Sequence, residues 1–187
     1  MGKGGDFERY VAKELTVWLT GKSKPYMFWR MPASGGLATI HEECVGLAGD
    51  IRSIHKDADF LTNIFTIECK TGYPHTSFWQ HFKNIKNFNL ELFWIQACGE
   101  AMGSNRRPML IYRKKGSAPL IGITDDMVIG IQKVTDLTEI PSITMNWPMI
   151  KNIQAMNLFN FDDFFKAVGP DEIKEAGHQL GVWEWQH

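Results

Sequence analysis

Apolar residues recur at spacings of three and four between residues 4 and 20: Phe7, Val11, Leu15, Trp18 and Leu19. That period belongs to an amphipathic helix with one face on a core. Asp6 is placed to cap it and Gly21 to close it. Between residues 63 and 70 the period falls to two, with Phe65, Ile67 and Cys69 on one face and Thr66, Glu68 and Lys70 on the other. This is a strand, stopped by Gly72 and Pro74. Residues 26–31 read as a short aromatic strand. Residues 45–54 read as a second strand region, broken by Gly49. Lys56-Asp57-Ala58-Asp59 has the composition of a hairpin turn, with 61–70 as the returning strand.

Further along, residues 77–89 mix aromatic and basic side chains (Phe78, Trp79, Phe82, Lys83, Lys86, Phe88), either a partly buried helix or a surface that stacks on a nucleic-acid strand. Residues 90–102 predict a helix, with Leu92, Ile95 and Met102 among its apolar positions and Gly103-Ser104-Asn105 at its end. Residues 109–113 predict a buried strand, and 119–124 its hairpin partner. An edge strand over 143–150 and short helices over 161–168 and 171–180 follow. The tail Trp183-Glu184-Trp185 is expected to pack back on the body. The mixture of strands and helices predicts an α/β chain. We expect a core over residues 1–124 and a C-terminal extension over 125–187 packed on it.

Composition changes this picture little. A chain of 187 residues suits one well-packed domain. No apolar run is long enough to span a bilayer, so no membrane partner is expected. The N-terminus has no apolar segment behind it and does not resemble a signal peptide. Three widely spaced cysteines, Cys44, Cys69 and Cys98, fit a reducing cytoplasm rather than a disulfide framework. Charge is more informative. The net is −1, yet residues 1–116 carry 16 Lys and Arg against 11 Asp and Glu, whereas residues 117–187 carry 4 against 10. The basic half therefore holds the candidate chemistry.

That chemistry starts from Glu68 and Lys70, a carboxylate and an ammonium emerging side by side at the end of a strand. Phosphodiester hydrolysis needs a positioned water, neutralisation of developing charge and help for the leaving oxygen. A hard cation such as Mg²⁺ is held by two or three carboxylates and keeps several waters. Asp50 completes the set if the chain from 50 to 70 brings it beside the strand end. Glu8, at the edge of the helical apolar stripe, is either a boundary residue or a further carboxylate aimed into the same site. The alternative reading of Glu68 and Lys70 is a solvent-facing strand pair with cross-strand partners, which leaves the company of Asp50 and Glu8 to coincidence. Ser34-Gly35-Gly36 is either an ordinary turn or a close approach to phosphate. His41-Glu42-Glu43-Cys44 matches no metal spacing and reads as surface.

Asp50, followed after 17 residues by Glu68-Cys69-Lys70, resembles the PD-(D/E)XK nuclease signature, with Gly49-Asp50-Ile51 in place of the usual Pro-Asp. The helix around Glu8, the loop from Arg30 to Gly36, Trp94-Ile95-Gln96-Ala97 and the run from Arg107 to Arg113 resemble Holliday-junction-resolvase-like members of phage and archaeal type. The resemblance covers roughly residues 4–115. It implies a restriction-endonuclease-like α/β core, a central mixed sheet flanked by helices, which agrees with the mixture of elements read above. Glu8, Asp50 and Glu68 would bind a divalent metal, Mg²⁺ with Mn²⁺ as substitute. Asp50, Glu68 and Lys70 would carry catalysis, Ser34 would contact the scissile phosphate, and Gln96 would support the site.

Arg30, Ser34, Gly35, Lys83, Lys86, Arg106 and Arg107 are the candidate DNA contacts. The expected activity is structure-selective DNA endonuclease cleavage, in the cytoplasm of a bacterium or a phage-infected host, by a homodimer acting on branched DNA. A nuclease on linear duplex and a non-catalytic DNA-binding protein retaining the fold are the alternatives.

Overall fold

A computed structural model describes residues 3–31, 48–73, 76, 83, 89–147 and 153–181. The loop around Ser34 and Gly35, the His41–Cys44 run, Lys86, almost all of the aromatic-basic segment over 77–89 and the Trp183–Trp185 tail lie outside the described residues.

The first helix, α1 (Lys3–Thr20), forms where the apolar stripe predicts it. Phe7, Val11, Ala12 and Leu15 are buried on one face. The helix begins before Asp6, so Asp6 sits in the first turn and pairs with Arg9 instead of capping. Gly21 ends it at φ 69°, donating its N–H to the Val17 carbonyl. Two short strands, β1 (Phe28–Arg30) and β2 (Ile51–Ser53), pair antiparallel as a ribbon.

The expected hairpin between 50 and 70 does not form. Its turn is a short 3₁₀ turn (Lys56–Ala58) leading into α2 (Asp59–Ile64), and β3 (Phe65–Thr71) starts only at Phe65. Polar Lys56 and Asp57 imitate turn composition, but Leu61 is buried and Phe60 and Ile64 pack on the core at helical spacing.

A five-stranded mixed sheet forms the centre, in the order β3, β4 (Arg107–Arg113), β5 (Leu120–Thr124), β7 (Met156–Asn160), β6 (Ser142–Met145). β3 and β4 run parallel, and the other pairs are antiparallel. The helix α3 (Asn89–Gly103) lies in the crossover between the parallel strands. The remaining helices are α4 (Asp125–Gln132), α5 (Phe161–Ala167) and α6 (Pro170–Leu180). This is the expected α/β architecture with helices flanking a mixed sheet.

Alternation along the strands splits the core in two. Phe65, Ile67, Cys69, Met109, Ile111, Ile121 and Ile123 face α1, α2 and α4–α6. Leu110, Tyr112, Met156 and Leu158 face α3. The buried side of α3 is Leu90, Phe93, Trp94, Ala97, Cys98 and Ala101, whereas Leu92 is exposed and Ile95 and Met102 are only half-buried. The helix is apolar over most of its circumference, so those three apolar positions do not mark its core face.

The C-terminal third is built into the sheet rather than laid on a finished core. Two of the five strands, β6 and β7, come from it, with β6 as the expected edge strand. Met127, Ile131, Phe164 and Ile173 from this third share the α1-side core with Phe7 and Leu15. Cys69 and Cys98 are buried free thiols. Among the described residues, no helix is long and apolar enough to cross a membrane.

Candidate active site

β3 is one edge of the main sheet, and the candidate residues gather around its free side. Asp50 docks there with both backbone and side chain. Its N–H donates to the Ile67 carbonyl at 2.8 Å, and its Oδ2 accepts from the Cys69 N–H at 2.9 Å. On the other side, the Asp50 carbonyl accepts from the Met31 N–H at 2.8 Å, which ties the β1–β2 ribbon to the same strand. Gly49 makes this docking possible. Its φ is 90°, and a Cβ there would meet the Ile67 backbone N and O at 3.0 Å. Neither the dihedral nor the space admits another side chain without strain.

Glu68 projects toward α3 and is nearly sealed, with 3% of its side chain exposed. Lys70 Nζ donates to its Oε1 at 2.5 Å, and Gln96 Nε2 donates to the same oxygen at 3.0 Å. Gln96 Nε2 also reaches Glu100 Oε1 at 2.9 Å, one helical turn further along α3. The Lys70 ammonium lies 6.0 Å from the Phe93 ring centroid, so an aromatic floor steadies it. Glu8 approaches from α1, on the opposite face of the sheet. Arg30 Nη1 donates to its Oε2 at 3.3 Å, and the guanidinium crosses α1 where Gly5 leaves room.

The electrostatics tie these residues together. Burial, then Asp50, then Glu100 push Glu68 up to about 8; Lys70 opposes this and does not prevail. Burial and then Asp50 also raise Glu8, against Arg30, Arg9 and Lys70. For Lys70, burial pulls down, but Glu68, Asp50 and Glu100 outweigh it and the net direction is up. The direction we rely on is Glu68 upward, because burial and two further carboxylates act on it against one neighbouring cation.

Between 4.5 and about 8 the folded protein keeps a proton on Glu68 that the unfolded chain has lost. The raised value therefore stabilises below that window, and the contribution falls away as pH rises through it. Glu68→Gln has no such proton to lose. In calorimetry with EDTA, its melting temperature should fall less than that of the wild type across this window. Parallel curves would refute the assignment.

Asp50, Glu68, Lys70 and Gln96 are thus brought together, with Glu8 and Arg30 next to them. The carboxylates wrap around an edge strand, one from each face and one on the edge. Among the described residues, no group of three His, Cys, Asp or Glu side chains is placed to close on one ion. The donor chemistry nevertheless suits a hard cation. Carboxylate oxygens that raise one another's affinity for a proton also favour a metal, and one or two carboxylates plus water and phosphate oxygens suffice for Mg²⁺.

A family model described as "Phage putative PDDEXK endonuclease" matches residues 1–175. The chain belongs to this family. The match supports the PD-(D/E)XK superfamily, and the mixed sheet with helices on both faces is consistent with its restriction-endonuclease-like core. It also runs through β6, β7 and α5 into α6, well past the region of sequence resemblance. No curated protein and no solved structure matches the chain.

Within this family member the basic candidates separate. Arg107 is a correction. It is buried, its Nε donates to Asp126 Oδ2 at 2.8 Å and its Nη1 to the Gly181 carbonyl at 3.1 Å, so it joins β4 to α4 and the end of α6 and is closed to a DNA backbone. Arg106 is half-buried, with Arg52 close enough to lower its proton affinity in addition to the effect of burial. Lys83 is exposed. Glu100 and Phe93 were missed by sequence reasoning; the signal for Glu100 is its spacing of four from Gln96 on one helix.

Proposed function

We propose that this chain is a metal-dependent endonuclease that hydrolyses DNA phosphodiester bonds and is selective for branched structures, as a Holliday junction resolvase is. Membership of an endonuclease family supports the reaction class. The observation that carries it is the docking of Asp50 onto β3 beside Glu68 and Lys70.

Asp50 and Glu68 would hold a divalent ion, Mg²⁺ with Mn²⁺ as substitute, and Glu8 would add a third carboxylate. The ion supplies Lewis acidity and an acidified water. The rest falls to the protein. Lys70 orients the attacking water and stabilises charge on the phosphoryl oxygens. Gln96 fixes the carboxylate of Glu68, and Phe93 keeps the ammonium of Lys70 in place. Symmetric nicking of a junction needs two sites, so the acting species is a homodimer. The protein acts in the cytoplasm of the infected cell.

A labelled panel of four-way junction, flap and linear duplex DNA, incubated with Mg²⁺ or Mn²⁺, tests this reading. The junction should be nicked fastest, and Glu68→Ala should not cut. An inert wild type, or a Glu68→Ala variant that still cuts, overturns the nuclease reading. Equal cutting of linear duplex overturns junction selectivity alone.

A further inference from the structure

Across Arg30 from Glu8, a pocket of about 300 Å³ opens between α1 and the β1 strand. It lies at the small end of the range for small-molecule sites, roughly 300–1,000 Å³. Its rim carries two aromatic rings that the core leaves outside. Tyr26 is 41% exposed and Trp29 is 46% exposed. The two rings meet edge to face, with centroids 5.6 Å apart at 67°. Rings of this size are normally buried, and a pair held at a fixed angle presents a stable apolar face to solvent.

Cations surround that face. Arg9, Lys13 and Arg30 line the pocket. Lys24 Nζ lies 5.9 Å from the Tyr26 ring centroid. Arg52 is the register partner of Trp29 on β2, and directly opposed residues share a face. The acid in the wall is Asp6, and it is already paired with Arg9. Aromatic faces inside a cationic rim match a nucleobase with its phosphates. A second copy of the same cationic surface would repel itself. A base-paired nucleotide keeps its faces stacked in the duplex, so the ring offered here must belong to an unpaired one.

We propose that this pocket binds an unpaired nucleotide, its base stacked on Trp29 with the Tyr26 ring at its edge and its phosphates against Arg9, Lys13 and Arg30. Arg30 then serves two neighbours, the carboxylate of Glu8 and the bound strand, and places single-stranded DNA beside the active site. The choice of DNA as ligand rests on the nuclease reading; the pocket itself does not. Stacking in it selects substrates with an unpaired nucleotide near the cut, which is what a branch point or a flap supplies.

The test uses the full-length protein in EDTA, so that binding is read without cleavage. Fluorescence anisotropy compares labelled oligo-dT with a blunt duplex of the same length. Trp29→Ala should weaken oligo-dT binding about tenfold and leave duplex affinity unchanged, whereas Trp29→Phe should bind as the wild type does. Lys13→Ala should reduce the salt dependence of oligo-dT binding. The proposal is overturned if Trp29→Ala binds oligo-dT normally or loses both ligands equally. It is also overturned if sedimentation shows that Trp29→Ala alters only the monomer–dimer equilibrium, which would make the face a contact between copies. A wild type that cuts DNA while Trp29→Ala binds normally removes the pocket and leaves the nuclease. A wild type that cuts nothing but shows the selective loss does the reverse.

Discussion

Replacing Lys70 with methionine is expected to lower DNA cleavage by about 10²–10³-fold while DNA affinity holds. The magnitude is that of removing one preorganised electrostatic donor from a transition state. Lys70 meets the conditions for this effect. Its side chain is 18% exposed, its ammonium is 2.5 Å from Glu68 Oε1, and its position is set by β3 and Phe93. Methionine keeps the apolar stem against the ring and removes the charge alone, so folding should be preserved.

The same variant separates the two roles open to the residue. If Lys70 only neutralises Glu68, its loss pushes that carboxyl up further, and cleavage lost at neutral pH should return at higher pH or higher Mg²⁺. If Lys70 acts on water or phosphate, the rate falls with no matching change in binding. Single-turnover rates across pH and Mg²⁺ concentration, together with DNA binding measured in EDTA, decide between these outcomes. Wild-type cleavage by Lys70→Met would remove the lysine from the mechanism. Lys70→Arg is not a substitute control, because a planar fork cannot occupy the point position of an ammonium beside a buried oxygen.

The parts of this site readable in the sequence are those with a local signal. The period of two from Phe65 to Lys70 placed Glu68 and Lys70 together on one face, and β3 keeps that alternation, with Ile67 toward α1 and Glu68 toward Gln96. The helical stripe of α1 placed Glu8 at its boundary, where it is half-buried. The route by which Asp50 reaches the strand was misread. Its path runs through a ribbon and a helix, and its docking depends on Gly49 lying against the Ile67 backbone, a contact between distant residues that no pattern encodes. Arg107 failed for a similar reason. A basic doublet after a helix reads as a DNA contact, but Asp126, 19 residues later, takes the guanidinium. The C-terminal third was the least legible. Residues 156–159, Met-Asn-Leu-Phe, are a short buried stretch interrupted by polar Asn157, which as a pattern fits strand or helix equally, and only the pairing with β5 and β6 decides.

The largest loss of stability is expected at Trp94, on the side of α3 that packs against the sheet. Trp94 is fully buried on α3, among Leu90, Cys98, Leu110 and Met156, and its indole N–H donates to the Gln154 carbonyl at 2.8 Å. Trp94→Ala removes the largest fully buried side chain of this layer, leaves a cavity between helix and sheet, and strands a carbonyl ahead of β7. Such truncations cost about 3–5 kcal/mol, a large share of the roughly 5–15 kcal/mol that holds a domain together. Trp94→Phe keeps most of the volume and loses the hydrogen bond, at a cost of about 0.5–1.5 kcal/mol plus a smaller packing defect. Urea unfolding of the two variants should therefore rank them clearly, alanine well below phenylalanine. Equal midpoints would mean that the layer collapses around the gap and that α3 is not anchored by this residue. If it is anchored there, Trp94→Phe should still cut DNA, because Gln96 and Phe93 on the same helix keep their positions against Glu68 and Lys70.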